Sequence, residues 1–189
     1  MIVLIGESAC GKSTIEKILE KEYGMKRVIS HTTRPERQGE KDGVDYFFVS
    51  NYDFNEKLKN KEFAETGSYN GWLYGSEKDQ YCDNSVVVLT PKGYRQLKKN
   101  LKMNNKIFAI YIKVDRKSRL IKSLERGDNI EEIIRRNQTD VGQYDGVEDE
   151  VDFVISNEEY LYAPKYLAKV IFNLCSGVGT GGKNENEDA

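Results

Sequence analysis

The sequence predicts an α/β domain in which a parallel sheet is sandwiched by helices and interrupted by two insertions. Three observations predict it. Short β-branched apolar runs alternate with stretches whose apolar residues recur at helical spacing. Several of those runs are apolar at almost every position, as strands covered on both faces must be. The first run also passes into the first helix through a glycine-bearing loop, "GESACGKS".

Taken in order, "IVLI" at Ile2–Ile5 is the first strand. Lys12–Glu22 is a helix, because Ile15, Ile18 and Leu19 share one stripe and Gly24 stops it. Arg27–Ser30 and Ser85–Thr90 are the next strands of the same layer. Thr90 is a good N-cap and Pro91 suits the first helical position, so Pro91–Lys102 is a helix. Ile107–Val114 and Asp152–Ser156 read as strands, and Lys117–Glu125 and Tyr160–Leu174 as helices. This alternation is that of a doubly wound domain. The first insertion, from Thr32 to Asp83, is rich in Tyr, Phe, Gly and charge. Its strand-like pieces "DYFFVS" and "FAETGSYNGWLYGS" predict a small β-rich lobe. The second, "ERGDNIEEIIRRNQTD", is a short amphipathic helix flanked by arginines. The ending "SGVGTGGKNENEDA" predicts a disordered tail, and no internal repeat is present.

Composition bounds the function. A chain of 189 residues, 38% hydrophobic and 32% charged, buries one good core with small appended lobes. A net charge of −2 gives no field for non-specific nucleic-acid binding. No segment approaches the roughly 20 apolar residues of a membrane span. "MIVLIGES" is too short and lacks the basic leader of a signal peptide, so it is expected to be a strand. Cys10, Cys82 and Cys175 are odd in number and widely spaced, which predicts neither disulfides nor a zinc site, and a cytoplasmic setting. His31 is the sole histidine, which disfavours a histidine triad.

"GESACGKS" fits G-x-x-x-x-G-K-[ST], a phosphate-binding loop. It predicts a P-loop NTPase-type sheet with Gly6, Glu7, Ser8, Ala9, Cys10, Gly11, Lys12, Ser13 and Thr14 against a nucleoside triphosphate. Gly6 and Gly11 let backbone N–H groups wrap the phosphates at a helix N-terminus. Lys12 reaches the β- and γ-phosphates, and Ser13 offers its hydroxyl to Mg²⁺. Cys10 occupies a variable position, where packing outweighs redox chemistry. The loop alone does not separate GTPase, ATPase and kinase, but no NKxD base motif is present.

The lobe narrows the choice. "SHTTRPERQGEKDGVDYFFVS" gathers Ser30, Arg34, Arg37 and Tyr46, and "EFAET" and "WLYGS" add Glu65, Tyr74 and Ser76. Two guanidiniums on a Pro-bearing turn suit an anionic group, although such a loop alone also reads as a solvated face. Together with the P-loop and the order of the blocks, this stretch resembles guanylate kinase over residues 1 to about 175. The resemblance implies ATP-dependent transfer to GMP or dGMP. Arg34, Arg37, Tyr46 and Tyr74 would bind the acceptor monophosphate, and Ser30, Glu65 and Ser76 would face guanine. A carboxylate accepts guanine's adjacent N1–H and N2–H as a pair, and adenine offers no such pair.

The second insertion resembles the arginine-bearing lid of these kinases. Arg126, with Arg135 or Arg136, would join Lys12 in neutralising the transferring phosphoryl group, and both of the latter remain candidates. Asn157 would lie near the donor adenine. The attacking phosphate oxygen is already ionised, so no general base is expected. The expected division is a core of 1–31, 84–118 and 146–175, a monophosphate lobe at 32–83, a lid at 119–145 and a tail at 176–189.

One place departs from the family. Its Asp-x-Asp strand ending is replaced by Val88 and Thr90, so Thr90 is the candidate for that part of the GMP site. A kinase with relaxed base choice (deoxynucleotide or modified base) and a non-catalytic guanylate-kinase-like interaction domain are the alternatives. Expected partners are nucleotides, without nucleic acid or membrane, and the chain is expected to be a monomer or homodimer.

Overall fold

The computed structural model describes residues 1–37, 39–69, 71–101 and 107–177. Its main sheet contains β1 (Ile2–Ile5), β2 (Lys26–Arg27), β7 (Ser85–Val88), β8 (Phe108–Lys113) and β9 (Phe153–Ser156), in the order β2-β7-β1-β8-β9. Every neighbouring pair is parallel, with Ile2 opposite both Val86 and Phe108. Side-chain alternation divides β1 between two cores. Ile2 and Leu4 pack with Ile15 and Leu19 of α1 (Lys12–Tyr23) and Leu167 and Ile171 of α6 (Pro164–Ser176). Val3 and Ile5 pack on the other face with Tyr94 and Leu97 of α3 (Pro91–Asn100). Each fully buried aliphatic side chain contributes about 1.5–3 kcal/mol, so both faces of the central strand anchor the domain.

The first insertion builds a second sheet. It contains β3 (His31–Thr32), β4 (Phe47–Phe48), β5 (Phe63–Tyr69) and β6 (Trp72–Glu77), in the order β4-β3-β6-β5. β5 and β6 form an antiparallel hairpin whose register shifts between Phe63 and Glu65, then sets Glu65 opposite Ser76. α2 (Asn51–Lys59) seals this lobe by placing Phe54 against Phe63, ring centroids 4.6 Å apart. The chain leaves the main sheet near Ile29 and returns after a 3₁₀ turn at Lys78–Gln80. Gln80 ties the two crossings: its Nε2 donates to Ile29 O (3.0 Å) and its Oε1 accepts from Ile29 N (2.8 Å).

The second insertion holds α4 (Arg116–Glu125) and α5 (Ile130–Asp140), capped by Asp115 and Asn129. No helix among the described residues is long and apolar enough to cross a membrane.

Several expected boundaries move, each for a local reason. The strand expected at Arg27–Ser30 ends at Arg27, because the chain turns into the lobe sheet at His31. "DYFFVS" holds only the two-residue β4, since Ser50 accepts Asp53 N–H and caps α2 instead. The helix expected from Tyr160 starts at Pro164, after Asn157 closes a loop onto Tyr162 in both directions. Proline disfavours helical geometry at the residue before it but fits the first helical turn. The helix expected to reach Lys102 ends at Asn100, and Lys102 lies outside the described residues. The tail expected from 176 loses Ser176 to α6, and 178–189 lie outside the described residues.

Candidate functional site

The loop after β1 is shaped by glycine geometry. A Cβ on Gly6 would lie 2.6 Å from both Cys10 Sγ and the Ile112 carbonyl oxygen. Gly11, with φ +98°, caps α1 from the left-handed region. Lys12 folds back over the loop, donating to Gly6 O (2.6 Å) and Glu7 O (2.7 Å), while Ser13 stands exposed in the first turn of α1. Thus Gly6 to Thr14 form one continuous cradle, with Cys10 buried beneath it.

Four further side chains hold that cradle. Asp140 Oδ2 accepts the Ser8 amide (2.7 Å), and Arg119 donates to Ser8 O (3.3 Å) and lies 3.7 Å from Asp140. Tyr111 donates to Glu7 Oε2 (3.0 Å), and Tyr160 donates to Ala9 O (2.7 Å). Sequence reasoning missed these residues. Tyr111 alone carried a signal, a polar handle near the carboxyl end of an apolar strand, where such sheets bind ligands. Asn157 is buried and spends its side chain on Tyr162.

At the base of the lobe sheet, Ser30, Ser76 and Glu65 form a chain of hydrogen bonds. Ser76 Oγ donates to Glu65 Oε1 (2.8 Å), so Ser30 must donate across its own 2.8 Å contact to Ser76 Oγ. Glu65 is buried, and burial pushes its carboxyl up to about 7 against the opposing hydrogen bonds from Ser76. Its Oε2 faces Gly93 in the first turn of α3, 3.1 Å from where a Cβ would stand. Thr90 accepts the Gly93 amide (3.1 Å) and caps that helix. Tyr81, another residue sequence reasoning passed over, buries its hydroxyl near Ser76 and Glu65 with no partner at full hydrogen-bond geometry.

Arg34, Arg37 and Arg135 line a pocket with Tyr69, Tyr74 and Glu132. Arg34 is buried over the rings of Tyr46 (5.4 Å) and Phe48 (5.7 Å), and Tyr46 meets Tyr74 edge-on at 6.0 Å. Glu40 accepts Arg34 Nη2 on both oxygens (2.8 and 2.9 Å) and the Arg37 amide (2.9 Å), so it fixes the turn between them. From α5, Arg135 lies over Tyr69 (5.2 Å). Arg37, Arg135 and Arg136 all donate to the Glu132 carboxylate. Burial and the charges of Arg136 and Arg34 lower the Arg37 pKa, which is the signature of crowded cations. Arg126 pairs with Asp128 instead, at the end of α4. The structure therefore gathers Arg34, Arg37, Tyr46 and Tyr74 with Arg135 and Arg136, and Arg126 adjoins them through Asp128, which lies 3.9 Å from Arg136 as well.

The whole arrangement can grip two phosphate groups between a P-loop and an arginine cluster, with a buried acceptor for a base beside them. A sequence profile of the guanylate kinase family matches residues 1–174. The guanylate kinase of Fusobacterium nucleatum is 32% identical over 180 residues, covering 92% of this chain and 96% of that protein. That of Syntrophus aciditrophicus is 33% identical over 165 residues, covering 83% of this chain and 78% of its own. The fold is also similar to the crystal structure of guanylate kinase from Anaplasma phagocytophilum, with a TM-score of 0.68 at 23% identity, covering 96% and 87% of the two chains.

Proposed function

The chain belongs to the guanylate kinase family, and from that premise we infer that it transfers the γ-phosphoryl group of ATP to GMP or dGMP. The products are ADP and GDP or dGDP. The observation that carries the choice of base is the buried chain Ser30–Ser76–Glu65. An ionised carboxylate buried without a cation is costly, and guanine's two adjacent N–H donors offset that cost where adenine cannot.

In this reading Gly6 to Thr14 hold ATP, with Lys12 against its β- and γ-phosphates. Arg34, Arg37, Tyr46 and Tyr74 hold the acceptor phosphate, and Arg135 and Arg136 neutralise the phosphoryl group in flight. Arg126 joins them once it exchanges Asp128 for phosphate. Asn157 shapes the wall on the donor side by holding its own loop closed. Thr90 supports the base pocket through the helix start that abuts Glu65. Segments 32–83 and 119–145 act as lobe and lid over the core 1–31, 84–118 and 146–175. Their closure excludes water that would hydrolyse ATP.

Mg²⁺ fits the donor set. Ser13 presents one hydroxyl in the first turn of α1, and Mg²⁺ on a nucleotide takes most of its ligands from phosphate and water. Bound there, it would neutralise phosphate charge. In this reading the enzyme works in the cytoplasm, where reduced cysteines such as Cys10, Cys82 and Cys175 persist, as a monomer or homodimer.

The test is ADP release measured with GMP, dGMP, IMP, AMP, CMP and UMP as acceptors. GMP and dGMP should be preferred. Equal use of AMP would refute the role of Glu65, and no stimulation by any acceptor would refute the kinase.

A further inference from the structure

Glu132 occupies an unusual place for a residue in the first turn of a helix. Its backbone amide takes the ordinary cap from Asn129 (3.2 Å). A glutamate three residues after the cap commonly turns back toward the cap's own amide. This one turns outward, and each of its oxygens is spent on arginine. Oε1 accepts from Arg136 Nε (2.8 Å) and from Arg37 Nη2 (2.7 Å), and Oε2 accepts from Arg135 Nε (2.8 Å) and Nη2 (2.5 Å). The pairs with Arg135 and Arg136 are ordinary neighbours on a helix. Arg37 is not, because it lies 95 residues away in the lobe.

We propose that Glu132 is an internal stand-in for the acceptor's phosphate, holding Arg37 of the lobe and Arg135 and Arg136 of the lid converged until that phosphate displaces it. The inference rests on the kinase reading for the identity of the displacing anion. A carboxylate offers one negative charge and two oxygens. A phosphate monoester offers up to two charges and three terminal oxygens, so it competes well for three guanidiniums. The Glu132 side chain is one-quarter exposed, which leaves it a route into solvent when displaced. The contact costs affinity for the acceptor, and in return the arginines stay assembled, their mutual repulsion offset by the Glu132 carboxylate.

Glu132→Gln keeps the shape and removes the charge. The expected result is a fall in KM for GMP of about two- to fivefold, the scale of a partly exposed ion pair, with kcat not increased. A purely structural role would instead leave KM unchanged or raise it, and either result overturns the proposal. A second measurement does not depend on turnover: inorganic phosphate should raise the melting temperature of the variant more than that of the wild type. An equal or smaller rise overturns the stand-in role. If the wild type fails to phosphorylate GMP, the kinase reading falls, while the phosphate measurement still decides the part played by Glu132.

Discussion

Replacing Glu65 by Gln separates what the buried carboxylate costs the fold from what it gives to recognition. Burial raises its pKa from 4.5 to about 7, and a raised acid pKa means the folded state holds the proton more tightly than the unfolded chain. Its contribution to stability is therefore fully present below pH 4.5 and is lost as pH rises through 7. The rise corresponds to roughly 3 kcal/mol, most of which falls between pH 5 and pH 8. Gln removes the titration and can still accept from Ser76 Oγ. The assay is urea unfolding of both proteins at pH 5 and pH 8. Relative to the variant, the wild type should lose roughly 2 to 3 kcal/mol across that interval. Glu16, also pushed up to about 7 by burial beside Arg27, titrates equally in both proteins and cancels in the difference. Recognition should move the opposite way. Wild-type KM for GMP should fall more steeply from pH 6 to pH 8 than the variant's, and the variant's KM should be higher. The second ionisation of the acceptor phosphate, at about pH 6, acts on both proteins, and that of Glu65 only on the wild type. A pH-independent stability difference would refute the burial argument, and an unchanged KM in the variant would refute base reading by Glu65.

Two further substitutions probe the frame. Gly6→Ala drives a methyl into the Ile112 carbonyl, which backbone cannot yield, so thermal protection by ATP should vanish and kcat/KM should drop by about a hundredfold or more. Retained protection would show that the loop tolerates a side chain. Tyr81→Phe deletes a buried hydroxyl with no partner at full hydrogen-bond geometry, so urea unfolding should show a gain of about 1 kcal/mol. A loss of similar size would show that the hydroxyl is paired.

How much of this was legible in the sequence depended on the range of the forces involved. β1, its loop and α1 were readable because apolar pattern, glycine and lysine lie within one short stretch. α2 escaped because Phe54 is its one buried residue among polar neighbours, so no stripe announced it. β2 was read too long because departure from a sheet is decided by what the chain meets next, here the lobe strand at His31. In the site, residue types inside compact motifs were readable as to chemistry. Their partners were not, because Asp140 with Ser8 and Glu132 with Arg37 meet across 132 and 95 residues of sequence. Thr90 shows both sides: its cap was foreseeable from Thr-Pro, but the proximity of Glu65 to that helix turn was not.

The Gln80 clamp on Ile29 has a mechanical meaning. The lobe is joined to the core by two crossings, and one amide fastens them at fixed separation. A second tie lies along α3: Gln96 accepts the Thr66 amide (2.9 Å), Asn100 donates to Ala64 O (2.9 Å), and Ala64 is buried with Val3, Ile5 and Leu97 of the core. Ser30 follows the clamped residue directly, and Ser76 touches Ser30 and Glu65. The three polar side chains therefore stand between two fastenings, one on each side, like a shelf fixed at both ends. Arg37 lies outside that span, tied among the described residues only to Glu132 and to its own turn.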